Sequence, residues 1–235
     1  MKKAMIILSV VLNVVLIAAL YYVVCVKTDF SKRMMAKIKH EAYVPERVDQ
    51  NCVTSWNNCI EKLDMEVDVV FFGDSETAGG DWQKAFPDVK SINLGYIGED
   101  VKGMLRRVDA IKAVNPKKVF LMAGINGLQR QTMDEFEYWY ETLVDAIRRD
   151  VPEAELYIES ILPVTSYSDY CDNEKVREAN VVLQQIAAEC NIHYIDVYSA
   201  YAQEGALPDA MSYDGLHLTK EAYSLWYEAI RNQVN

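Results

Sequence analysis

Short apolar runs alternate with longer helical patterns along most of this chain. Strands are predicted at residues 68–72, 89–93, 118–123, 155–161 and 192–196. Helices are predicted at about 102–114, 133–150, 173–190 and 219–233. Such alternation is typical of a parallel sheet covered by helices on both faces. In an open sheet of this kind the reactive groups lie on loops at the carboxyl ends of the strands.

An apolar stretch at residues 4–26 precedes this pattern and is interrupted only by Ser9 and Asn13. As a helix rising about 1.5 Å per residue it would cross the roughly 30 Å of hydrocarbon in a bilayer. We therefore predict a single-pass, uncleaved membrane anchor. A cleaved signal peptide is the alternative, but the stretch is too long and no A-x-A-like cleavage site follows it.

The side of the membrane is less constrained by the sequence. Lysines and arginines are more numerous after the span than before it, which favours a cytoplasmic domain. A short N-terminal tail with Lys2 and Lys3 instead resembles a signal-anchor, whose C-terminal domain is exported. We predict an extracytoplasmic domain, because long domains cross membranes largely regardless of their charge.

Two regions follow from these patterns. Residues 1–43 are predicted to form the anchor and a juxtamembrane stalk, and residues 44–235 a single domain that begins with an amphipathic helix at 46–64. The net charge of the chain is −11 although its first 40 residues are basic, so the domain is strongly acidic. Such a domain is a poor partner for nucleic acid. No pattern determines the oligomeric state.

Four cysteines lie outside the predicted span, at positions 52, 59, 171 and 190. An even number is compatible with two disulfides in an oxidising compartment. Four free thiols are equally compatible with the sequence. The cysteines therefore leave the redox environment open.

Ser75 and the pair Asp214 and His217 are the candidate reactive residues. Ser75 follows the first predicted strand directly, and Asp214 stands three residues before His217 in a short, turn-like segment. A serine hydroxyl becomes a useful nucleophile when an imidazole takes its proton and a third group orients that imidazole. The alternative is that Asp74 and Ser75, and likewise Asp214, only cap helices.

Two further loops supply candidate donors for an oxyanion. Gly95 follows the second predicted strand, and Asn126 follows the third. A glycine lets a backbone N–H approach a substrate closely, and an asparagine amide is a neutral donor. The alternative for both residues is ordinary turn or cap geometry.

Together these four loops resemble the SGNH (GDSL-type) hydrolase family, in the bacterial branch similar to platelet-activating-factor acetylhydrolase and sialate O-acetylesterases. The similarity extends from about residue 48 to residue 227. It implies a three-layer α/β/α domain with a five-stranded parallel, flavodoxin-like sheet. It also implies Ser75 as nucleophile, His217 as general base and then acid, and Asp214 as its orienting partner. The oxyanion hole would comprise Ser75 N–H, Gly95 N–H and the Asn126 side chain, with no metal or organic cofactor.

Two residues depart from the family pattern. Gly127 stands where the family usually has an aspartate, so a side chain that normally braces the loop is absent. Glu76 follows the nucleophile where the family more often has an aliphatic residue. We expect Glu76 to point into solvent at the start of the following helix, where a carboxylate is favourable. The alternative is that Glu76 faces the pocket, where its charge would disfavour anionic substrates.

The predicted function is a membrane-anchored serine esterase that hydrolyses short O-acyl esters, above all acetyl esters. Its substrate would be a small molecule, a glycan or a lipid-linked glycan. The alternatives are an O-acyltransferase that uses the same residues and a catalytically inactive, anchored binding module.

Overall fold

Five parallel strands form one sheet in the structure, a computed structural model that describes residues 66–235. The strands are β1 (Val69–Gly73), β2 (Ser91–Gly95), β3 (Lys118–Met122), β4 (Glu155–Glu159) and β5 (His193–Ile195). Their order across the sheet is β2-β1-β3-β4-β5. The first strand along the chain therefore has neighbours on both sides, and β1 pairs with β2 and β3 over its whole length.

Nine α-helices surround the sheet in the described part of the chain. They are α1 (Ser75–Gly79), α2 (Trp82–Ala85), α3 (Val101–Met104), α4 (Val108–Val114), α5 (Ile125–Leu128), α6 (Met133–Asp150), α7 (Asn173–Glu189), α8 (Tyr198–Tyr201) and α9 (Tyr223–Val234). Short 3-10 turns at Leu105–Arg107 and Asp209–Met211 complete the set. The short helices α1 and α5 carry the residues after β1 and β3.

The two faces of the sheet bury different side chains, because successive residues of a strand point to opposite sides. On one face Phe71 of β1 and Phe120 of β3 join an aromatic core with Trp82 of α2 and Trp226 of α9. Phe71 and Trp82 stack with ring centroids 4.1 Å apart. The opposite face packs against the long helices α6 and α7, which contact each other. The result is a three-layer α/β/α domain.

The long helices begin and end at clear sequence signals. Thr132 and Glu135 form a reciprocal capping box at the start of α6, which satisfies backbone donors that a helix leaves unpaired. Arg148 and Arg149 lie in the last turn of α6, where positive charge is favourable. Asp172 caps α7 by accepting a hydrogen bond from the N–H of Glu174. These helices match their predicted ranges closely.

The predicted fold class is confirmed for the described residues, with local differences. The second strand lies two residues later than predicted, at Ser91–Gly95. The predicted helix at 102–114 is two helices joined by the 3-10 turn that ends at Arg107. The last helix begins at Tyr223 rather than residue 219, because the segment before it forms turns.

Several predictions lie outside the described residues. These are the anchor at 4–26, the stalk to residue 43, the helix at 46–64, and both Cys52 and Cys59. No helix within residues 66–235 is long and apolar enough to cross a membrane. Cys171 and Cys190 are free thiols.

Candidate active site

A tight turn places Ser75 at the carboxyl end of β1, an interior strand of the sheet. β1 ends at Gly73, and Asp74 then acts as the N-cap of α1, its carboxylate accepting a hydrogen bond of 3.0 Å from the N–H of Glu76. Ser75 is the first residue of α1. Its N–H belongs to the first turn, for which a helix supplies no acceptor of its own. The turn thus presents both the hydroxyl and a backbone donor of Ser75.

Asp214 and His217 lie in a compact loop before α9. One carboxylate oxygen of Asp214 accepts hydrogen bonds from the backbone N–H groups of Leu216, at 3.0 Å, and His217, at 2.8 Å. The Ser212 hydroxyl donates to the carbonyl of His217 at 2.8 Å. The N–H of Thr165, in the segment after β4, donates to the carbonyl of Gly215 at 3.0 Å. These hydrogen bonds hold the loop in place independently of its contact with Ser75.

The three predicted catalytic side chains form one hydrogen-bonded chain. Nε2 of His217 lies 2.9 Å from Oγ of Ser75, and Nδ1 of His217 lies 2.6 Å from Oδ2 of Asp214. Because a carboxylate accepts from Nδ1–H, Nε2 is left as the acceptor for the serine proton. The arrangement has the geometry needed to deprotonate Ser75 during attack on a carbonyl carbon.

Electrostatics keep Asp214 available as an acceptor. Partial burial by itself would raise the pKa of the Asp214 carboxyl, but hydrogen bonds from His217 and from two backbone N–H groups outweigh it. The pKa of Asp214 is therefore below its ordinary value. A carboxylate that remains charged holds the imidazole in one tautomer and stabilises its protonated form.

Asn126 lies in α5, which follows β3 along the chain. Gly124 precedes it with φ of +135°, a conformation that side-chain-bearing residues rarely adopt. The Asn126 side chain is buried, and its Nδ2 donates to the backbone carbonyl of Glu99 at 3.0 Å. The Tyr170 hydroxyl donates to its Oδ1 at 3.1 Å. These contacts use one of the two amide hydrogens of Asn126, and its predicted role in an oxyanion hole stays a prediction.

Gly95 is held differently from the prediction. It is paired with Gly73 across β1 and β2, so it lies beside the nucleophile turn. Its N–H donates to the side-chain oxygen of Asn93 at 2.9 Å, and the Asn93 amide donates to carbonyls of α1, including that of Thr77 at 3.0 Å. An oxyanion would have to compete with Asn93 for this N–H. The predicted role of Gly95 therefore stays a prediction.

A cavity of about 350 Å³ opens beside the serine and histidine. It is lined by Ser75, Gly79, Asp81, Tyr213, His217, Leu218, Lys220, Tyr223 and Tyr227. The exposed Tyr213 ring stacks on the imidazole of His217 with ring centroids 5.7 Å apart. Within the described residues, no group of three or more His, Cys, Asp and Glu side chains is arranged to hold a metal ion.

Residues 71–225 match the family model described as GDSL-like lipase/acylhydrolase. The chain belongs to this family. The resemblance inferred from the four loops is thus confirmed, and membership makes the protein a carboxylic ester hydrolase. No curated protein matches the chain.

Solved structures share the GDSL-like fold at low identity. A structure from Streptococcus pneumonia, described as that of a platelet activating factor, is 24% identical with a TM-score of 0.72, covering 79% of this chain and 92% of its own. A structure described as an acylhydrolase from Bacteroides fragilis is 21% identical, with a TM-score of 0.68 and coverage of 80% and 98%. An acetylxylan esterase from Geobacillus stearothermophilus is 19% identical, with a TM-score of 0.60 and coverage of 74% and 96%. These likenesses concern the fold.

Glu76 departs from the GDSL-type pattern, and its predicted exposure was wrong. The side chain is buried with only 3% of its surface exposed. Its Oε2 lies 3.5 Å from the backbone nitrogen of Leu218 and 3.2 Å from the Tyr223 hydroxyl oxygen. Burial, reinforced by the nearby Asp74 carboxyl, raises the pKa of Glu76 to about 8. Glu76 thus connects the nucleophile helix to the segment that follows His217.

Gly127 is the second departure from the family pattern. A Cβ atom at this position would lie 2.7 Å from Oε1 of Gln131, whose side chain is buried. The Gln131 side chain therefore occupies the space beside Gly127. The neighbouring Asn126 is instead held by Glu99 and Tyr170.

Three supporting residues were missed by the sequence analysis. Asn93 stands at the end of a predicted strand beside Gly95, so its position was a usable signal. Glu99 contributes through its backbone carbonyl, which no residue type reveals. Tyr170 lies in a polar loop without periodicity, and only the folded structure brings it to Asn126.

Proposed function

We propose that this GDSL-type hydrolase is a serine esterase that removes short acyl groups, acetyl above all, from carbohydrate hydroxyls. The single observation that carries the proposal is the continuous chain of hydrogen bonds from Asp214 through His217 to Ser75. An acyltransferase and an inactive binding module remain as outcomes of the test described below.

In the proposed reaction Oγ of Ser75 bonds to the ester carbonyl carbon while its proton passes to Nε2 of His217. The Asn126 amide and the Ser75 N–H stabilise the negative charge on the carbonyl oxygen. His217 then protonates the departing alcohol as its bond to carbon breaks, which leaves an acyl-Ser75 ester. A water molecule attacks this ester after giving a proton to His217, and the proton returns to Oγ as the acid leaves.

The lining of the cavity supports a short acyl group. Tyr223 and Tyr227 bound the space next to Ser75, while Asp81 and Lys220 add charged groups to the same wall. A long hydrocarbon chain would have to desolvate those charged groups without pairing them, which is unfavourable. An acetyl group needs only the space nearest Ser75.

The surface around the site supports a carbohydrate as the alcohol component. Exposed large apolar side chains gather on the loops that carry the site, at Tyr96, Ile97, Tyr167, Tyr170 and Tyr213. Tyrosine offers a flat apolar face together with a polar hydroxyl, and a sugar ring presents the complementary combination.

A polar cleft of about 750 Å³ is lined largely by the segment of the chain that contains Tyr167 and Tyr170. It is lined by Gln129, Thr165, Ser166, Ser168, Asp169, Cys171, Asp172, Asn173 and Lys175. The N–H of Thr165 also donates to the carbonyl of Gly215, so one wall of the cleft contacts the loop of Asp214 and His217. Such a polar lining suits a carbohydrate chain better than a hydrocarbon chain.

Membrane attachment is part of the proposal and rests on the sequence. The apolar stretch at 4–26 is long enough to span a bilayer. We propose that it anchors the catalytic domain on the extracytoplasmic side, where acetylated surface glycans would be within reach. Protease accessibility of the domain in intact cells tests the side.

Hydrolysis of p-nitrophenyl acetate, butyrate and palmitate by the full-length chain in mild detergent tests the chemistry. We expect acetate to be the best substrate, and a fluorophosphonate probe to label Ser75. Ser75→Ala should abolish both signals, whereas Ser224→Ala, at an exposed helical serine, should leave both unchanged. Labelling at another residue would refute the nucleophile, and preference for palmitate would refute the short acyl group.

Acetylated xylooligosaccharides test the alcohol component. Hydrolysis with a higher kcat/KM than for p-nitrophenyl acetate supports the carbohydrate proposal, and equal or lower values oppose it. Acetyl transfer to an added oligosaccharide that outruns hydrolysis would favour the acyltransferase. Oligosaccharide binding without any turnover would favour the binding module.

A further inference from the structure

The amide group of Asn126 has neighbours that allow only one orientation. The backbone carbonyl of Glu99 can only accept a hydrogen bond, so the nitrogen of the amide must face it, at 3.0 Å. The amide oxygen then faces the Tyr170 hydroxyl, which donates to it at 3.1 Å. With both contacts in place, the second amide hydrogen points in one fixed direction.

Both neighbours are themselves held in place. Glu99 forms a buried ion pair with Arg107, and Arg107 also donates to the carbonyl of Leu94 at 3.0 Å. The N–H of Tyr170 donates to the Ser168 hydroxyl at 3.2 Å. The Glu99 carbonyl therefore holds the nitrogen of the Asn126 amide, and the Tyr170 hydroxyl holds its oxygen.

We propose that Tyr170 is a positioning residue that orients the Asn126 amide toward the oxyanion, through its hydroxyl group. The inference rests on the proposed esterase function. Without this hydroxyl, the terminal torsion of Asn126 would have a broad range, since such sp³–sp² torsions are only weakly restricted. A preorganised donor is more effective than one that must reorient during the reaction.

Tyr170→Phe removes only the hydroxyl and keeps the ring on the surface of the site. We expect kcat for p-nitrophenyl acetate to fall about tenfold with KM changed less than about twofold, because loss of a whole oxyanion donor costs about 100- to 1,000-fold. The matched control is Tyr198→Phe, which removes a tyrosine hydroxyl that donates to the backbone carbonyl of Gly205 at 3.2 Å and has no part in the proposed site. That control should keep the wild-type kcat.

A double-mutant cycle separates positioning from a general structural effect. If Tyr170 acts through Asn126, Tyr170→Phe should have no further effect on kcat in an Asn126→Ala background. An equal fall in kcat in both backgrounds would overturn the proposal. So would a wild-type kcat in the single variant.

A second measurement does not depend on turnover. In ¹⁵N–¹H spectra of the full-length chain, the side-chain amide pair lost in Asn126→Ala identifies Asn126. We expect this pair to shift and exchange faster with solvent in Tyr170→Phe but not in Tyr198→Phe. Unchanged signals in Tyr170→Phe would overturn the proposal. Absence of Ser75-dependent hydrolysis in the wild type would refute the proposed function, while the spectra would still decide the role of Tyr170.

Discussion

The carboxylate of Asp214 has two structural roles that different atoms perform. Its Oδ1 accepts from two backbone N–H groups and shapes the loop, whereas its Oδ2 contacts Nδ1 of His217. An asparagine at this position would keep an oxygen for the loop and present an NH₂ group to the imidazole. The two roles can therefore be separated by one substitution.

We expect Asp214→Asn to lower kcat by roughly 1,000- to 10,000-fold, because the amide donates to Nδ1 and forces the proton onto Nε2, facing Ser75. Thermal stability should change little, since the backbone contacts persist. Kinetics with p-nitrophenyl acetate and a melting curve check both expectations. Asp209→Asn, at an exposed aspartate, is the control. Near-normal kcat in Asp214→Asn would exclude the proposed orienting role.

Glu76 presents a different problem at the residue scale, since a buried carboxyl lies next to the nucleophile. Glu76→Gln keeps an oxygen for Leu218 and Tyr223 and removes the ionisable group. The pKa of Glu76 in the folded chain is about 8, above the ordinary value of a glutamate. The free energy of unfolding therefore decreases as the pH rises from that ordinary value to about 8. We expect the variant to melt about 5 °C or more above wild type at pH 9.

At pH 5 the melting temperatures of wild type and Glu76→Gln should differ little, because the Glu76 carboxyl is then protonated in the folded chain. Glu153→Gln changes an exposed glutamate and controls for net charge. Equal melting temperatures of wild type and Glu76→Gln at both pH values would contradict the assignment of a buried, ionisable Glu76.

At the scale of elements, α1 and α9 meet at one close contact. A Cβ atom on Gly79 would lie 2.3 Å from the Tyr223 hydroxyl, which donates to the Glu76 carbonyl at 2.8 Å. This contact holds the helix of Ser75 against the helix that follows His217. A side-chain atom added at Gly79 must therefore push α1 and α9 apart.

We expect Gly79→Ala to reduce kcat/KM at least tenfold, because displacement of Tyr223 shifts α1 relative to the His217 segment. Misplacement of reacting groups by about 1 Å can cost about 100-fold. In Gly79→Ala with Tyr223→Phe, the hydroxyl that clashes is gone, so we expect partial recovery of kcat/KM. A double variant no better than Gly79→Ala would argue against this contact as the cause.

Element by element, the long regular segments could be predicted and the short ones could not. The apolar runs predicted all five strands, the second of them two residues early, and the helical pattern predicted α6 at its observed bounds, Met133–Asp150. α5 has four residues, too few for a helical period to show. The segment before Tyr223 contains helix-forming residues, yet turns there bring Leu218 and Thr219 into backbone contacts.

The residues of the site also fall into those that the sequence could predict and those that it could not. Ser75, Asp214 and His217 were predictable because each stands in a local motif, and the sheet brings the motifs together. Burial of Glu76 was not predictable, since it depends on Tyr223, which lies 147 residues away in the sequence. Tyr170 likewise acts across 44 residues. Contacts of this kind are fixed by tertiary packing rather than by local pattern.

At the scale of the whole molecule, three buried carboxyls make stability depend on pH. Burial raises the pKa of Asp74 to about 7 and those of Glu76 and Glu159 to about 8. In each case the folded pKa exceeds the ordinary value of an aspartate or glutamate. Their contribution to stability is therefore fully present below about pH 4 and is lost as the pH rises through 7 and 8.

We expect the urea midpoint of the full-length chain to fall by a clear margin between pH 5.5 and pH 8.5. Repeating the measurement in 0.5 M NaCl separates the effect from surface repulsion, because salt screens exposed charges far more than buried ones. A decrease that disappears in salt would mean that surface charge, and not the buried carboxyls, causes it.

The reacting serine and its base come from distant parts of the chain, 142 residues apart. A nascent polypeptide therefore contains Ser75 long before His217 has been synthesised. The hydroxyl stays unreactive throughout that interval. Esters that the growing chain encounters are spared until His217 has been added and has folded beside Ser75.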